Sequence, residues 1–254
     1  MIAATIAAFG ILIVAIQVWQ DRKQYPRFKS MTTTAERQGM YRYWSIDAFL
    51  RYGAFGVIGL LLLHRGSALA AMPSDFLDAW RDSVARVGLD PVKFEALGAG
   101  LSGGMLIGTV VMSLMPLIMR KFGGKTPKLT GDIGALIPRN RAEIHWGAAI
   151  SINAGIVEEI FFRLLMPFAW FAITGNALIA LSVSVVLFGL VHAYQGIVGV
   201  LATMAIGALL TFVYLATQQI WLAMLLHACI DFRVLVFLPL AQQNGAPGGA
   251  ANDQ

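Results

Sequence analysis

The chain has 254 residues, of which 57% are hydrophobic and 13% are charged, a charged share roughly half that of soluble domains. With a mean hydropathy of +0.69, this composition excludes a soluble enzyme, a disordered chain and a nucleic-acid module on a membrane anchor, and it predicts a polytopic membrane protein. The net charge of +5 does not indicate a nucleic-acid partner, because the basic residues flank apolar runs, where they set membrane topology.

Seven apolar runs are long enough to form membrane-spanning helices. They cover about residues 2–20, 46–64, 96–119, 144–171, 176–194, 197–217 and 220–240. The runs are continuous rather than alternating, which favours helices over a β-barrel. The run 144–171 contains Pro167 and is too long for one simple span. We therefore predict an all-α polytopic membrane helix bundle of seven or eight transmembrane segments.

Basic residues predict the orientation of the chain in the membrane. The segments 21–45 and 120–141 each hold six Lys or Arg residues, whereas 65–95 holds four against five acidic residues. The positive-inside rule then places the two basic segments in the cytoplasm and the N-terminus outside, and we expect a multi-pass protein of a bacterial plasma membrane. The first apolar run has its basic flank on the C-terminal side, which is typical of an uncleaved anchor rather than a secretory signal.

Two further patterns precede the middle of the chain. The segment 74–95 has apolar residues at helical spacing with charges between them, so we expect an amphipathic helix at the membrane interface or a plain amphipathic linker. Gly100, Gly104 and Gly108 form a double G-x-x-x-G pattern, which predicts close helix packing rather than a functional site.

The second half of the chain contains ionisable residues inside its apolar runs. They are Glu158, Glu159, Arg163, His192, His227 and Asp231. A charge in hydrocarbon is costly, so a functional role is the default hypothesis for such residues. Because the six residues belong to three different runs, we expect the bundle to gather them around one polar cavity inside the membrane.

Helical spacing predicts how these residues pair. Glu159 and Arg163 are four residues apart and can form an ion pair, while Glu158 points about 100° away and has no basic partner in its own segment. His227 and Asp231 are also four apart, so the carboxylate can accept a hydrogen bond from the imidazole. Structural interpretations compete with these: the ion pair can be purely stabilising, and a lone histidine can join two helices by one hydrogen bond.

These residue types suit hydrolysis of an amide bond. A desolvated carboxylate is a competent base for activating water, and a histidine can donate to a developing oxyanion. Glu158, His192 and His227 also make a plausible zinc set with one position open for water. The sequence contains no H-E-x-x-H, which excludes the familiar zincin helix.

The polar segments together resemble a known family. Residues 158–163 are similar to the motif E-E-x-x-x-R, residues 188–192 to F-x-x-x-H, and residues 227–231 to H-x-x-x-N/D. In this order they resemble the CPBP family (CAAX protease and bacteriocin-processing, or Abi) of intramembrane endopeptidases, which includes the type II CAAX prenyl endopeptidases. The resemblance covers about 144–240.

This resemblance implies an all-helical fold with a conical cavity inside the membrane. It implies that Glu158 activates the hydrolytic water and that His192 assists it. It also implies that His227 holds the oxyanion, with Asp231 beside it at the last motif position. A protein or peptide substrate and membrane lipid are the expected partners, and nucleic acid is not.

The remaining motif positions carry further expectations. Glu159 and Arg163 match the family pattern and are expected to shape the site. Asp231 stands where the prenyl-endopeptidase branch has Asn, so the resemblance does not extend to a preference for prenylated proteins. A divalent metal such as zinc stays possible, but the resemblance slightly favours a metal-independent glutamate mechanism because it gives one histidine the oxyanion.

The sequence thus predicts an N-terminal transmembrane region over 1–143, a catalytic helix bundle over 144–240 and a disordered tail over 241–254, with 1–240 forming one structural domain. Two other functions stay open. A non-proteolytic binder, such as a bacteriocin-immunity factor, has no need of an unpaired Glu158. A proton-coupled transporter usually shows internal repeats, and none is visible in the sequence.

Overall fold

A computed structural model describes residues 1–123 and 133–243. Every regular element in these two ranges is helical, which confirms the all-α fold. The α-helices are α1 Ile2–Ser30, α2 Thr34–Ala48, α3 Phe55–Leu62, α4 Ser74–Arg86, α5 Pro91–Lys121, α6 Arg141–Glu159, α7 Met166–Thr174, α8 Ala177–Leu190, α9 Gly196–Thr217, α10 Ile220–Phe232 and α11 Leu238–Gln243. Three π-helical turns join consecutive helices without a break: Phe49–Ala54, Ile160–Leu165 and Arg233–Phe237.

Among the described residues, five helical stretches are long and apolar enough to cross a membrane. They are Ile2–Ser30, Thr34–Leu62, Pro91–Lys121, Ala193–Thr217 and Ile220–Gln243. The chain is therefore an integral membrane protein with a polytopic helix bundle. The two other predicted runs also form helices, with α6 and α7 covering 144–171 and α8 covering most of 176–194. The total of seven or eight transmembrane segments stays a prediction.

The basic segment 21–45 is largely helical rather than a loop. Helix α1 continues to Ser30, and α2 begins at Thr34 after only a short break. Thr33 and Glu36 form a reciprocal capping box that fixes this start. Lys, Arg and Gln are good helix formers, so the loss of apolar character after residue 20 marks a change of environment and not the end of the helix.

The segment 74–95 is divided between two helices. Helix α4 ends at Arg86, Gly88 follows with φ of 81°, and the Asp90 side chain caps α5 by accepting backbone N–H donors. The apolar face of α4 packs inside the protein, where the Phe76 ring meets Phe168 edge-on with centroids 5.0 Å apart.

Two predictions fall partly outside the described residues. The basic segment 120–141 includes residues 124–132, and the predicted disordered tail includes residues 244–254; neither range is described. The first residues of that tail are nevertheless ordered, because α11 continues to Gln243.

Three glycines allow the continuous helical stretch Thr34–Leu62 to pack directly against α6 and the π-helical turn that follows it. A Cβ added to Gly53, Gly56 or Gly59 would lie 2.9, 2.8 or 2.5 Å from side-chain atoms of Val157, Ile160 and Leu165, respectively. The predicted packing at Gly100, Gly104 and Gly108 is wrong for the described residues, since nothing lies within 4 Å of a Cβ at any of these three positions. A glycine motif in the sequence shows that close helix packing is possible, but it does not show whether a neighbouring helix packs against it.

A buried ion pair ties α2 to the start of α6. Arg37 Nε lies 2.9 Å from Glu143 Oε2, and the two side chains are 0% and 1% exposed. The guanidinium also donates to the hydroxyl of Tyr41 and to the carbonyl oxygens of Ala135 and Ile137. Nε and Nη2 of the guanidinium thus have acceptors, whereas Nη1 has none among the described residues; the counter-charge and these bonds make burial of the arginine tolerable.

We predict that Glu143→Ala strongly destabilises the fold, because it leaves Arg37 buried without its counter-charge. The expected loss is on the order of 3–5 kcal/mol. Thermal unfolding of the purified protein in detergent measures it. The matched control is Asp75→Ala, which removes an ion pair to Arg65 whose side chains are 50% and 28% exposed and should cost only about 0–1 kcal/mol. Equal losses in the two variants would contradict the structural role of Glu143.

Candidate active site

A cavity of about 410 Å³ lies within the bundle, with a mainly apolar lining that includes several ionisable side chains. Its lining includes four residues that the sequence predicts for the site: Glu158, His192, His227 and Asp231. The two others, Glu159 and Arg163, lie behind the wall and are 0% and 1% exposed. The fold therefore brings residues from three apolar runs to one cavity, as expected.

Close contact between α6 and α10 brings the first and last motifs together. A Cβ on Gly155 would lie 2.9 Å from the Ala228 Cβ and 2.9 Å from the Met224 carbonyl oxygen, so only glycine allows this approach. Glu159 follows one turn after Gly155, and His227 precedes Ala228. The π-helical turn that starts at Ile160 widens the backbone directly after the two glutamates, a distortion that is frequent at functional sites.

Glu159 holds one partner with each carboxylate oxygen. Its Oε1 lies 2.7 Å from His227 Nδ1, and its Oε2 lies 3.0 Å from Arg163 Nε. The predicted pair with Arg163 is present as an ion pair, and Arg163 also donates from Nη2 to the Gly207 carbonyl at 3.3 Å. Since an ionised carboxylate can only accept, His227 donates from Nδ1 and turns its Nε2 edge towards the cavity.

The predicted hydrogen bond between His227 and Asp231 is not formed. His227 Nε2 and Asp231 Oδ2 are 3.8 Å apart, which is too long for a hydrogen bond. Spacing of four residues places both side chains on one helix face, but the imidazole turns its Nδ1 to Glu159 from a different helix. Asp231 keeps its place on the cavity wall, where its carboxylate faces the free edge of the ring.

His192 is oriented by the backbone of its own motif. Its Nδ1 lies 2.8 Å from the carbonyl oxygen of Phe188. A carbonyl oxygen only accepts, so Nδ1 carries the proton and a neutral ring presents the lone pair of Nε2. The Phe188 ring contacts His192 and His227 at centroid distances of 5.1 and 5.7 Å, and the Arg163 guanidinium lies 4.2 Å over it. The Phe188 ring thus contacts three of the six predicted site residues.

Glu158 has no protein partner for its inner oxygen. Oε2 is buried and makes no hydrogen bond to any residue in the two described ranges. This agrees with the prediction that helical spacing leaves Glu158 unpaired while its neighbour Glu159 is neutralised. Since Glu158 lines the cavity, its carboxylate can interact with a water molecule or a substrate group without breaking a bond to a described residue.

The first half of the chain supplies a wall of the cavity that the sequence did not predict. Lining residues from α1, α2 and the following π-helical turn include Gln17, Asp21, Asp47 and Tyr52. Gln17 donates to Asp21 at 2.9 Å, and Asp47 lies 2.9 Å from Arg51, four residues along the same helical stretch. The sequence signal for this wall was the four-residue spacing of Gln17 and Asp21. At the end of an apolar run, such polar residues are typical of the membrane interface, so they did not predict a cavity.

The side chains proposed for zinc do not fit a metal site. Within the described residues, no group of three or more His, Cys, Asp or Glu side chains is arranged to hold a metal ion. Glu158, His192 and His227 line the same cavity without forming such a set, so no step of the chemistry is routed through a metal.

A serine motif elsewhere in the chain does not contribute to the site. Residues 100–104 read G-L-S-G-G, which fits the pattern G-x-S-x-G of serine hydrolases. That pattern acts at a sharp turn between a strand and a helix. Here it lies inside α5, and the Ser102 hydroxyl donates to the Gly98 carbonyl at 2.7 Å. Ser102 is therefore a helix residue with a satisfied hydroxyl.

We predict that Arg163→Ala lowers folded yield and thermal stability, because Glu159 loses its cationic partner in a buried position. The cost should be on the order of 3–5 kcal/mol. The matched control is Glu158→Gln, which removes the carboxylate of the residue before Glu159. Because Glu158 Oε2 has no partner in the described residues, this variant should melt near the wild-type temperature. An Arg163→Ala variant with unchanged thermal stability would show that Arg163 does not stabilise Glu159.

Comparison with known proteins adds independent information. Residues 140–233 match a family model described as "Type II CAAX prenyl endopeptidase Rce1-like". No curated protein and no solved structure gives a significant match to the chain. The matched range begins at the N-cap of α6 and ends directly after α10, so it contains all three motifs and the helices that carry them. Residues 140–233, which carry all three motifs, are thus similar to the Rce1-like type II CAAX prenyl endopeptidases.

Proposed function

We propose that this protein is an intramembrane endopeptidase that hydrolyses a peptide bond with a water activated by Glu158. The observation that carries the proposal is the inner oxygen of Glu158, which is buried at the cavity wall with no partner in the described part of the chain. The family match supports a CAAX-type membrane protease at the level of the family. A binding protein would not require an unpaired carboxylate at this point, since an unsatisfied buried group costs stability.

Glu158 acts as the general base. It takes a proton from a water molecule, whose oxygen attacks the carbonyl carbon of the scissile bond. His192 assists, because its Nδ1 is held by Phe188 and its Nε2 lone pair can accept from the same water. When the C–N bond breaks, the proton on Glu158 passes to the nitrogen of the leaving amine, so that the carboxylate is restored.

His227 donates to the oxyanion. Its Nδ1 is engaged by Glu159, so the donor to the substrate must be Nε2–H of the imidazolium form. Two carboxylates favour that charged form: Glu159 at 2.7 Å from Nδ1 and Asp231 at 3.8 Å from Nε2. A cationic donor held in advance is the arrangement that stabilises developing negative charge best. Glu159 and Arg163 are positioning residues that act through His227.

The substrate we propose is a polypeptide that reaches the cavity from the lipid phase. The proposal covers peptide-bond hydrolysis and does not include a preference for prenylated proteins, because Asp231 stands where the prenyl-endopeptidase motif has Asn. We further propose, from the distribution of Lys and Arg, that the N-terminus lies outside and that the basic segments 21–45 and 120–141 face the cytoplasm of a bacterial plasma membrane.

Glu158→Gln should abolish most of the activity without unfolding the protein. Loss of the general base predicts a fall in turnover of at least ~10²-fold at an unchanged melting temperature. The assay is cleavage of a peptide library by the protein purified in detergent, followed by kinetics on the best substrate. Glu95→Gln, the same chemical change on a residue outside the cavity, should behave as wild type. Near wild-type turnover of Glu158→Gln would remove Glu158 from the mechanism.

Activity should survive removal of metal ions. The described His and acidic side chains form no metal-holding group, so the proposed base and donors need no ion to act. The measurement is kcat/KM before and after treatment with a strong chelator, together with elemental analysis of the purified protein. A loss of activity that added zinc restores, with about one zinc bound per chain, would contradict the metal-independent mechanism.

A further inference from the structure

A phenol hydroxyl at the cavity wall has no assigned role. Tyr52 lines the cavity, and its side chain is nearly buried, with 4% of the residue exposed. Its hydroxyl makes no hydrogen bond to any residue within 1–123 or 133–243. Buried tyrosine hydroxyls usually have a partner, because leaving one unpaired costs free energy. A donor kept unpaired beside this cavity is therefore a candidate for binding a ligand.

Packing brings together the two helical segments that carry Tyr52 and the proposed catalytic base. The π-helical turn Phe49–Ala54 carries Tyr52, and Gly53 beside it lies so close to Val157 that an added Cβ would be 2.9 Å from its side chain. Val157 precedes Glu158 directly in the chain. The contact thus brings the neighbours of both residues together, and Tyr52 and Glu158 line the same cavity.

The Tyr52 ring is held in a fixed orientation. It meets Phe161 edge-on with centroids 5.1 Å apart and is tilted against Phe162 at 5.5 Å. Both phenylalanines belong to the π-helical turn after Glu159. A ring clamped in this way presents its hydroxyl without the loss of side-chain freedom that a flexible donor would suffer on binding.

The charges around Tyr52 indicate what it binds. Among the charged groups, Glu158 and Asp21 act most strongly on the hydroxyl, followed by Arg51 and then Asp47, and Arg51 is itself engaged by Asp47 and by glutamines of α1. Carboxylates supply acceptors in abundance, and among them a neutral phenol keeps its proton and acts as a donor. The ligand group it complements is a neutral acceptor, and in a polypeptide that group is a backbone carbonyl.

We propose that Tyr52 is a substrate-binding residue whose hydroxyl donates a hydrogen bond to a backbone carbonyl of the polypeptide bound beside Glu158. This inference rests on the proposed function, because it names the contact by which the same cavity holds its substrate. It also gives the N-terminal helices a part in the site, since residues 1–139 lie outside the range that matches the family.

The chain contains a matched control for this residue. Tyr214 in α9 is 0% exposed, and its hydroxyl likewise lacks a partner in the described residues. Tyr214 does not line the cavity. Substitution by phenylalanine therefore removes the same unpaired hydroxyl in both places, but only Tyr52→Phe removes one that can reach a substrate.

The kinetic test compares Tyr52→Phe and Tyr214→Phe with the wild type on one cleaved peptide. Tyr52→Phe should raise KM about 5–10-fold, the effect of one lost hydrogen bond, with kcat changed less than about 2-fold. Tyr214→Phe should leave both constants unchanged. Neither variant should have a lower melting temperature, since each loses an unsatisfied buried group. An unchanged KM for Tyr52→Phe, or an equal rise for Tyr214→Phe, would overturn the inference.

A binding measurement separates this inference from the proposed function. The Kd of a labelled peptide is measured by fluorescence anisotropy in the Glu158→Gln background. The peptide is the one that the wild type cleaves fastest. If the wild type cleaves none, it is the library peptide that binds most tightly. Adding Tyr52→Phe should raise that Kd about 5–10-fold, whereas adding Tyr214→Phe should not. Absence of cleavage by the wild type would defeat the proposed function while this arm still tests Tyr52. An unchanged Kd would defeat the Tyr52 inference even if cleavage is observed.

Discussion

The site depends on the burial of one negative charge, the carboxylate of Glu159. Arg163 neutralises it within the same helical stretch, and His227 donates to it from α10, so a single group links two helices and orients the imidazole. Burial of a charge in a bundle surrounded by lipid is tolerable only when its partners are in place. The same charge therefore contributes to both stability and proposed chemistry, and Glu158 is left unpaired because the available cation and imidazole serve its neighbour.

Backbone geometry makes this arrangement possible. Glycines allow α10 and the turn before α3 to approach the C-terminal end of α6, and π-helical turns occur where the approaching segments carry site residues. A larger residue at Gly155 would push His227 away from Glu159, and one at Gly53 would displace Tyr52. The cavity is thus the space that remains between helices whose separation is set by a few close contacts, and its ionisable lining residues come from both halves of the chain.

Interpretation of the sequence succeeded where a local rule applied and failed where a partner lay on another element. Spacing of four correctly predicted the pair of Glu159 with Arg163, since neighbouring turns of one helix place such residues together. The same spacing suggested a bond from His227 to Asp231, which is absent because the ring is oriented by the hydrogen bond that its Nδ1–H donates to Glu159 on another helix. Similarly, the glycines at 100, 104 and 108 stand open, whereas those at 53, 56 and 59 are covered.

The sequence by itself determined the membrane character of the chain, the all-helical fold, the family resemblance of residues 140–233 and which six polar residues lie in apolar runs. These follow from composition, from the length of apolar runs and from ordered short motifs, which are properties of contiguous residues. Only the tertiary structure decided which nitrogen of each histidine is engaged, which glycines are packed, and that Asp21 and Tyr52 of the N-terminal helices line the cavity. The physical reason is that hydrogen-bond partners and cavity walls depend on how separate helices approach one another, and no local pattern encodes that distance.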